Sequence, residues 1–149
     1  MLALGVGIGL TLCALVVQGT AAVLGVQAVG ALLARRAVGT DVWHNGLATL
    51  MLIILLTGHW AQMSLWAAAF MGAGEFETFG LAFYHSAVNY TTLGYGDIVM
   101  SARWRLLGPQ EAVTGMLAFG WSTAVIVAVV LRLGQYRRRA RARENRGRS

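Results

Sequence analysis

The chemistry most clearly encoded in this sequence lies at residues 91–97, which read TTLGYGD. Gly94 and Gly96 lack a Cβ and can adopt backbone angles that other residues avoid. Because they alternate with Leu93 and Tyr95, successive backbone carbonyls can point to one side of the strand while the larger side chains pack on the other. Carbonyl oxygens from several copies of such a strand could replace the water shell of a cation.

Two further polar groups and a short helix frame this strand. Thr92 adds a hydroxyl at its inner end, and Asp97 adds a carboxylate at its outer end. Residues 79–91 contain serine, asparagine, histidine and threonine and would reach only about 20 Å as a helix, too short and too polar to face lipid alone. They predict a re-entrant half-helix, which a membrane tolerates only when it is buried in protein or beside water. The negative end of its dipole favours a cation at mid-membrane.

The rest of the chain predicts elements that cross a bilayer. Of its 149 residues, 57% are hydrophobic and only 12% are charged, whereas about a quarter are charged in a soluble domain. Residues 1–34, 42–74 and 112–131 carry no Asp, Glu, Lys or Arg, and about 20 apolar residues suffice to span. We therefore predict an all-α integral membrane protein with three transmembrane helices.

The first of these segments is rich in glycine, and the second is flanked by tryptophan. Gly5 and Gly9 form a small-xxx-small pair that permits close helix packing, although glycines can also be merely tolerated there. Trp43 and Trp66 lie near the ends of the second segment, residues 46–70, where aromatic side chains favour the membrane interface. The third segment is expected at about residues 111–133.

The distribution of arginine along the chain predicts its orientation in the membrane. Eight of the 12 arginines lie in residues 132–149, which contain one acid, Glu144. Basic residues mark the cytoplasmic side, and Arg35 with Arg36 marks the first loop in the same way. The N-terminus is therefore expected outside and the C-terminus in the cytoplasm. The tail either reflects topology at a solvated end or contacts anionic lipid headgroups, at about 1 kcal/mol per basic residue near the surface.

The sequence lacks the residue patterns of an enzyme. Cys13 is the only cysteine, so neither an intrachain disulfide nor a cysteine-based metal site can form. The three histidines lack metal-ligand spacing, and Glu75 and Glu77 lie in a loop that suits a solvated rim. We expect no enzymatic activity, no cofactor and no nucleic-acid partner.

Two stretches resemble the pore domain of tetrameric potassium channels, a family known for its TVGYG selectivity loop. Residues 84–97, YHSAVNYTTLGYGD, resemble the pore helix and selectivity filter, and residues 115–124, GMLAFGWSTA, resemble the inner helix. The likeness covers roughly residues 47–134. It implies a pore of two transmembrane helices with a re-entrant pore helix and filter loop, assembled as a homotetramer, to which the first segment adds a third transmembrane helix.

The resemblance also implies a domain division and a set of functional residues. An extra N-terminal helix at residues 1–36 precedes a pore domain at residues 46–134 and a basic cytoplasmic tail at residues 135–149. The implied residues fall into three groups: K⁺-coordinating Thr92, Leu93, Gly94 and Tyr95; outer-mouth Gly96 and Asp97; and Gly115, Phe119 and Thr123 at the inner-helix hinge and cavity. Gly115 could serve flexibility or close packing. K⁺ enters only as the permeant ion.

Several residues depart from the family pattern. Leu93 stands where valine is usual, and Val88 stands where some members place a glutamate behind the filter aspartate, so that pair cannot form. Tyr84 and His85 replace the usual tryptophan pair of the aromatic cuff. His85 could pack with a hydrogen bond or sense pH at the outer mouth. His59, inside the second segment, could pack or sense protons.

The sequence favours a potassium-selective channel in the plasma membrane. No spanning segment carries arginines at every third position, so no voltage sensor of the usual kind is expected. A poorly selective cation channel of the same architecture is one alternative. A non-conducting membrane subunit or scaffold that keeps the fold is another.

Overall fold

The computed structural model describes residues 1–35 and 41–146, which form four helices. These are α1 (Leu2–Arg35), α2 (Asp41–Gly72), α3 (Phe79–Tyr90) and α4 (Leu107–Arg146). Within the described ranges, α1, α2 and α4 are the three helices long and apolar enough to cross a membrane. This confirms the predicted all-α class with three transmembrane helices. Arg36 and residues 147–149, which belong to the predicted N-terminal and tail segments, lie outside the described residues.

The third spanning helix is longer than the sequence suggested. It begins at Leu107 rather than near Glu111, and it continues through the basic tail to Arg146. Pro109 falls in its first turn, where the missing N–H has no helical partner to lose. Arginine is a good helix former, so the change from apolar to basic composition does not end the helix.

The helix α1 runs alongside α4 in the same direction. Near one end, the hydroxyl oxygens of Thr11 and Thr114 lie 2.9 Å apart, and near the other end Leu33 packs in one cluster with Leu133. The helix α2 joins that cluster through residues such as Met51. In the described chain, α1 contacts α2 and α4, while α3 contacts α2 and α4 but not α1.

Glycines bring α1 and α2 close together, at positions that the sequence did not single out. A Cβ on Gly25 would lie 2.5 Å from Met51 Sδ, and one on Gly58 would lie 2.9 Å from Gln18 Oε1. By contrast, no atom of the described chain lies within 4 Å of a Cβ built on Gly5 or Gly9. The predicted small-residue pair therefore makes no close helix contact inside one chain.

A second apolar cluster supports α3. It contains Trp66 and Phe70 of α2, Ala82 of α3 and Leu107 of α4. Trp66 was expected at a membrane interface, but it is fully buried in protein, and its ring centroid lies 5.9 Å from that of Phe70. The indole is needed to fill the space between α2 and the re-entrant helix, and this packing requirement overrides the interfacial preference of tryptophan.

Candidate functional site

The predicted filter strand, residues 91–97, alternates between positive and negative φ along the backbone. Thr92, Gly94 and Gly96 have φ values of 58°, 62° and 71°, whereas Leu93 and Tyr95 between them keep negative φ. Successive residues of opposite hand turn their peptide planes so that N–H groups gather on one side and carbonyl groups on the other. Gly94 and Gly96 thus have the left-handed φ that their spacing predicted.

The left-handed conformation of Thr92 is held by the end of α3. A non-glycine residue in this region costs about 1–2 kcal/mol, and Thr92 is the one such residue in the described chain. Its N–H donates to Asn89 O at 2.9 Å, and the N–H of Leu93 donates to Val88 O at 3.0 Å. The N–H of Gly94 also points to Val88 O, at 3.4 Å. These bonds to helix carbonyls offset the conformational cost.

The helix α3 is fixed in turn against α2 and α4. Ser86 is fully buried, and its hydroxyl lies 2.8 Å from Met63 O and 2.5 Å from Glu111 Oε1. One hydroxyl proton is shared between these two acceptors. On the next turn of α4, a Cβ on Gly115 would overlap the carbonyl oxygen of Tyr90. Gly115 is therefore a site of close packing, the second of the two roles that its sequence position allowed.

Glu111 is the site residue that sequence reasoning missed. It is fully buried, and its Oε2 has no hydrogen-bond partner in the described chain. An acidic residue buried within a candidate membrane-spanning helix is a functional candidate by default. The available signal was its spacing: Glu111 precedes Gly115 by four residues, which places both on one face of α4, and that face meets α3.

At the predicted outer mouth, the hydrogen-bond partner of the Asp97 side chain comes from α3. Tyr84 Oη donates to Asp97 Oδ2 at 2.7 Å, one helical turn before Val88, where the family's glutamate is missing. This hydrogen bond is the main cause that raises the pKa of Tyr84 above its usual value. Tyr84 thus provides Asp97 with a hydrogen-bond partner from α3, through a phenol instead of the glutamate that some family members have at the position of Val88.

His85 packs inside the protein at the level of the outer mouth. Its ring lies 5.5 Å from that of Phe70 and 5.0 Å from that of Phe76, centroid to centroid. His85 Nε2 lies 2.9 Å from Asn89 Nδ2. Burial lowers the pKa of His85, and the charges of Asp97 and Glu75 only partly oppose that shift. The contacts favour the packing role over pH sensing near neutrality.

Glu75 also does more than line a solvated rim. Its Oε2 accepts the backbone N–H of Ser101 at 2.7 Å, and its Oε1 accepts the Ser101 hydroxyl at 2.6 Å. The residue is half-buried. The loop after α2 is thereby tied to the loop that follows the filter strand.

The three predicted inner-helix residues, Gly115, Phe119 and Thr123, have different surroundings. Gly115 and Phe119 reach the end of α3, since the Phe119 ring lies 5.5 Å from that of Tyr90 and 4.6 Å from that of His59. Thr123 is exposed in the single chain, and its hydroxyl donates to Phe119 O at 2.9 Å. All seven residues of the filter strand are also exposed. Tyr95 and Leu93 expose 67% and 53% of their surfaces.

These features define a class of protein. A short helix leads into an exposed strand of alternating φ, and two membrane-spanning helices hold both, which is the architecture of a membrane channel. Residues 47–132 match a family described as "Ion channel". This match covers more than half of the chain, and the chain belongs to that family. No curated protein and no solved structure matches the chain.

Proposed function

We propose that this chain is the subunit of a potassium-selective channel, in which four copies surround one axis and K⁺ passes through the ring of their filter strands. The observation that carries the proposal is the alternation of left-handed φ at Thr92, Gly94 and Gly96. That alternation gives each copy one carbonyl face, and a ring of such faces can replace the hydration shell of an ion.

The ligands favour a weakly hydrated monovalent cation. Thr92, Leu93, Gly94 and Tyr95 contribute neutral oxygens, and the row contains no carboxylate. Ca²⁺ and Mg²⁺ are usually bound with carboxylates, so a neutral row holds them less well. Asp97 lies beyond the row, with its carboxylate bonded to Tyr84. The C-terminal end of α3 adds a negative dipole at the inner end.

The charge distribution supports one orientation. Arg35 and Arg132 lie at the same end of the parallel helices α1 and α4, away from the filter strand. With the basic end in the cytoplasm, the N-terminus and the mouth at Asp97 face outward across the plasma membrane. The arginine tail then lies beside the anionic inner leaflet, where each basic residue near the surface adds about 1 kcal/mol of attraction.

The proposal is tested by reconstituting the purified full chain and measuring the reversal potential with K⁺ on one side and Na⁺ on the other. We expect a potential of at least about 59 mV, which corresponds to a tenfold preference for K⁺, and block by Ba²⁺. A reversal potential near zero would reject selectivity and favour the poorly selective channel. Absence of current from pure, assembled protein would favour the non-conducting subunit.

A further inference from the structure

Five buried polar side chains form a line from α1 to the end of α3. Gln18 belongs to α1, His59 and Gln62 belong to α2, Ser122 belongs to α4, and Tyr90 ends α3. Each is at most 6% exposed. Polar groups at this depth lose their hydration and are costly unless they bond to one another. The ion pathway proposed above uses none of these five side chains.

An unbroken series of hydrogen bonds joins them. Gln62 Nε2 donates to Gln18 Oε1, and Gln18 Nε2 donates to Ser122 Oγ, both at 2.6 Å. Ser122 Oγ lies 3.0 Å from His59 Nε2, and His59 Nδ1 lies 2.9 Å from Tyr90 Oη. Tyr90 directly precedes the filter strand, so the series ends at its base.

The number of available protons determines which atom donates and which accepts in each hydrogen bond of the series. Ser122 donates its single hydroxyl proton to Ala118 O at 2.8 Å, so Ser122 Oγ must accept from both Gln18 and His59. The proton of the neutral imidazole is then on Nε2, and Nδ1 accepts from the Tyr90 hydroxyl. Loss of the Gln18 amide would remove one of the two donors that hold Ser122 Oγ beside His59.

Packing around the line leaves little room for other arrangements. A Cβ on Gly58 would lie 2.9 Å from Gln18 Oε1 and 3.0 Å from the Cβ of Ala21, so α1 approaches α2 closely at this level. Phe119 covers the His59 ring at 4.6 Å. The backbone of Tyr90 rests on Gly115 of α4. A shift of α1 at Gln18 therefore reaches both α4 and the end of α3.

We propose that Gln18 is a positioning residue for the pore: through Ser122 and His59 it fixes α4 against Tyr90, so that α1 sets the balance between conducting and non-conducting states. The inference rests on the proposed channel function. It assigns to α1, which lies wholly outside the family match at residues 47–132, a role beyond membrane anchoring.

The chain offers a matched control on the same helix. Gln27 also belongs to α1, but it is exposed. Gln18→Leu and Gln27→Leu remove the same amide group, and only the first interrupts the line. Ser122→Ala removes the central hydroxyl, whereas Ser122→Thr retains one. Tyr90→Phe removes a single oxygen at the far end.

Single-channel recording of the full-length protein in symmetrical KCl tests the proposal. Gln18→Leu should change the open probability by at least about fivefold, the lower end of typical coupling between sites, with unitary conductance and reversal potential unchanged. Gln27→Leu should stay within about twofold of the unmutated protein. Ser122→Ala should shift open probability in the same direction as Gln18→Leu, Ser122→Thr should restore it, and the double variant should show little more than one single effect.

A second measurement does not depend on conduction. Hydrogen exchange of the peptide that contains Tyr90 to Gly94 should quicken in Gln18→Leu and in Tyr90→Phe, and it should not change in Gln27→Leu. Equal open probability and equal exchange in Gln18→Leu and Gln27→Leu would overturn the proposal. If Gln18→Leu fails to assemble, unchanged exchange and open probability in Tyr90→Phe would overturn it. An unmutated protein that conducts no K⁺ would count against the channel function, while the exchange data would still decide the role of Gln18.

Discussion

Thr92 holds a backbone conformation that β-branched residues rarely adopt, and the two glycines that follow at alternate positions repeat it. From Thr92 to Gly96, the strand is therefore defined by backbone conformation rather than by side-chain contacts. A Cβ on Gly94 would come no closer than 4.0 Å to Thr92 O, and a Cβ on Gly96 would meet no atom within 4 Å in the single chain. Substitutions of Gly94 or Gly96 thus test the need for a left-handed backbone conformation and not the loss of space for a side chain.

Gly94→Ala should abolish K⁺ conduction. Gly94 has a φ of 62°, and alanine resists that angle by about 1–2 kcal/mol in each subunit. Relaxation to negative φ would turn a carbonyl out of the row. The measurement is K⁺ flux from proteoliposomes. Gly80→Ala is the control, since Gly80 lies within α3 and also has open space around it; flux in Gly94→Ala equal to that of Gly80→Ala would contradict the prediction.

Tyr84→Phe should weaken the outer mouth without changing selectivity. The substitution removes the phenol that donates to Asp97 Oδ2 at 2.7 Å but keeps the ring. The bond joins an exposed phenol to a charged carboxylate, so its loss is only partly compensated by water, and we expect steady-state current to fall roughly threefold to tenfold. A shifted K⁺/Na⁺ reversal potential in Tyr84→Phe would contradict this prediction and show that the hydrogen bond to Asp97 acts on the ion sites themselves.

Asp97→Asn should change conductance more than selectivity, because its carboxylate lies outside the carbonyl row.

External pH should have little effect near neutrality. Burial lowers the pKa of His85 from about 6.5, so the ring is neutral in the folded protein at pH 7. Its contribution to stability is complete above about 6.5 and is lost as pH falls below that value, because the unfolded chain then binds the proton first. Current should be constant from about pH 8 to 7 and should decline in acid. His85→Gln should reduce the acid decline, and an unchanged decline would point to another group.

At the scale of elements, the contact between α3 and α4 depends on Gly115. A Cβ there would overlap Tyr90 O, and overpacking of this kind costs about 1–3 kcal/mol. Gly115→Ala should therefore lower the thermal stability of the assembled protein as well as its open probability. Gly120, five residues further along α4, has open space around it, and Gly120→Ala should leave stability equal or raise it by up to about 1 kcal/mol. Normal stability in Gly115→Ala would restore the hinge interpretation of that residue.

The sequence pattern predicted the elements whose conformation depends on residues close to one another in the chain. The glycine spacing at residues 94 and 96 predicted the hand of the filter strand, and the short polar stretch predicted α3 within one residue of its observed end at Tyr90. The short-range sequence pattern does not indicate which distant side chains will bond to each other. Gln18 finds Ser122 across 104 positions, and Glu111 finds Ser86 across 25. Such pairings depend on helix arrangement, so the burial of Trp66 and the position of α1 could not be read from the sequence.

At the scale of the whole molecule, one chain presents an incomplete site. Its filter strand is exposed along its full length, with two-thirds of the surface of Tyr95 uncovered. One carbonyl face cannot surround an ion, whereas four copies related by a closed rotation can, and each then covers its neighbour's aromatic side chains. We therefore expect a cyclic homotetramer of about 64 kDa of protein, from chains of 15.9 kDa.

Native mass spectrometry in mild detergent measures this directly. A tetramer should dominate in K⁺ and should persist to higher temperature in K⁺ than in Na⁺, because an ion that binds only the assembled filter stabilises the assembly. Gly94→Ala should assemble and lose most of that K⁺-dependent difference, since its strands no longer form the ion sites. Only monomers or dimers of the unmutated chain would reject the tetramer. A tetramer equally stable in both ions would instead separate assembly from ion binding, and it would favour the non-conducting scaffold.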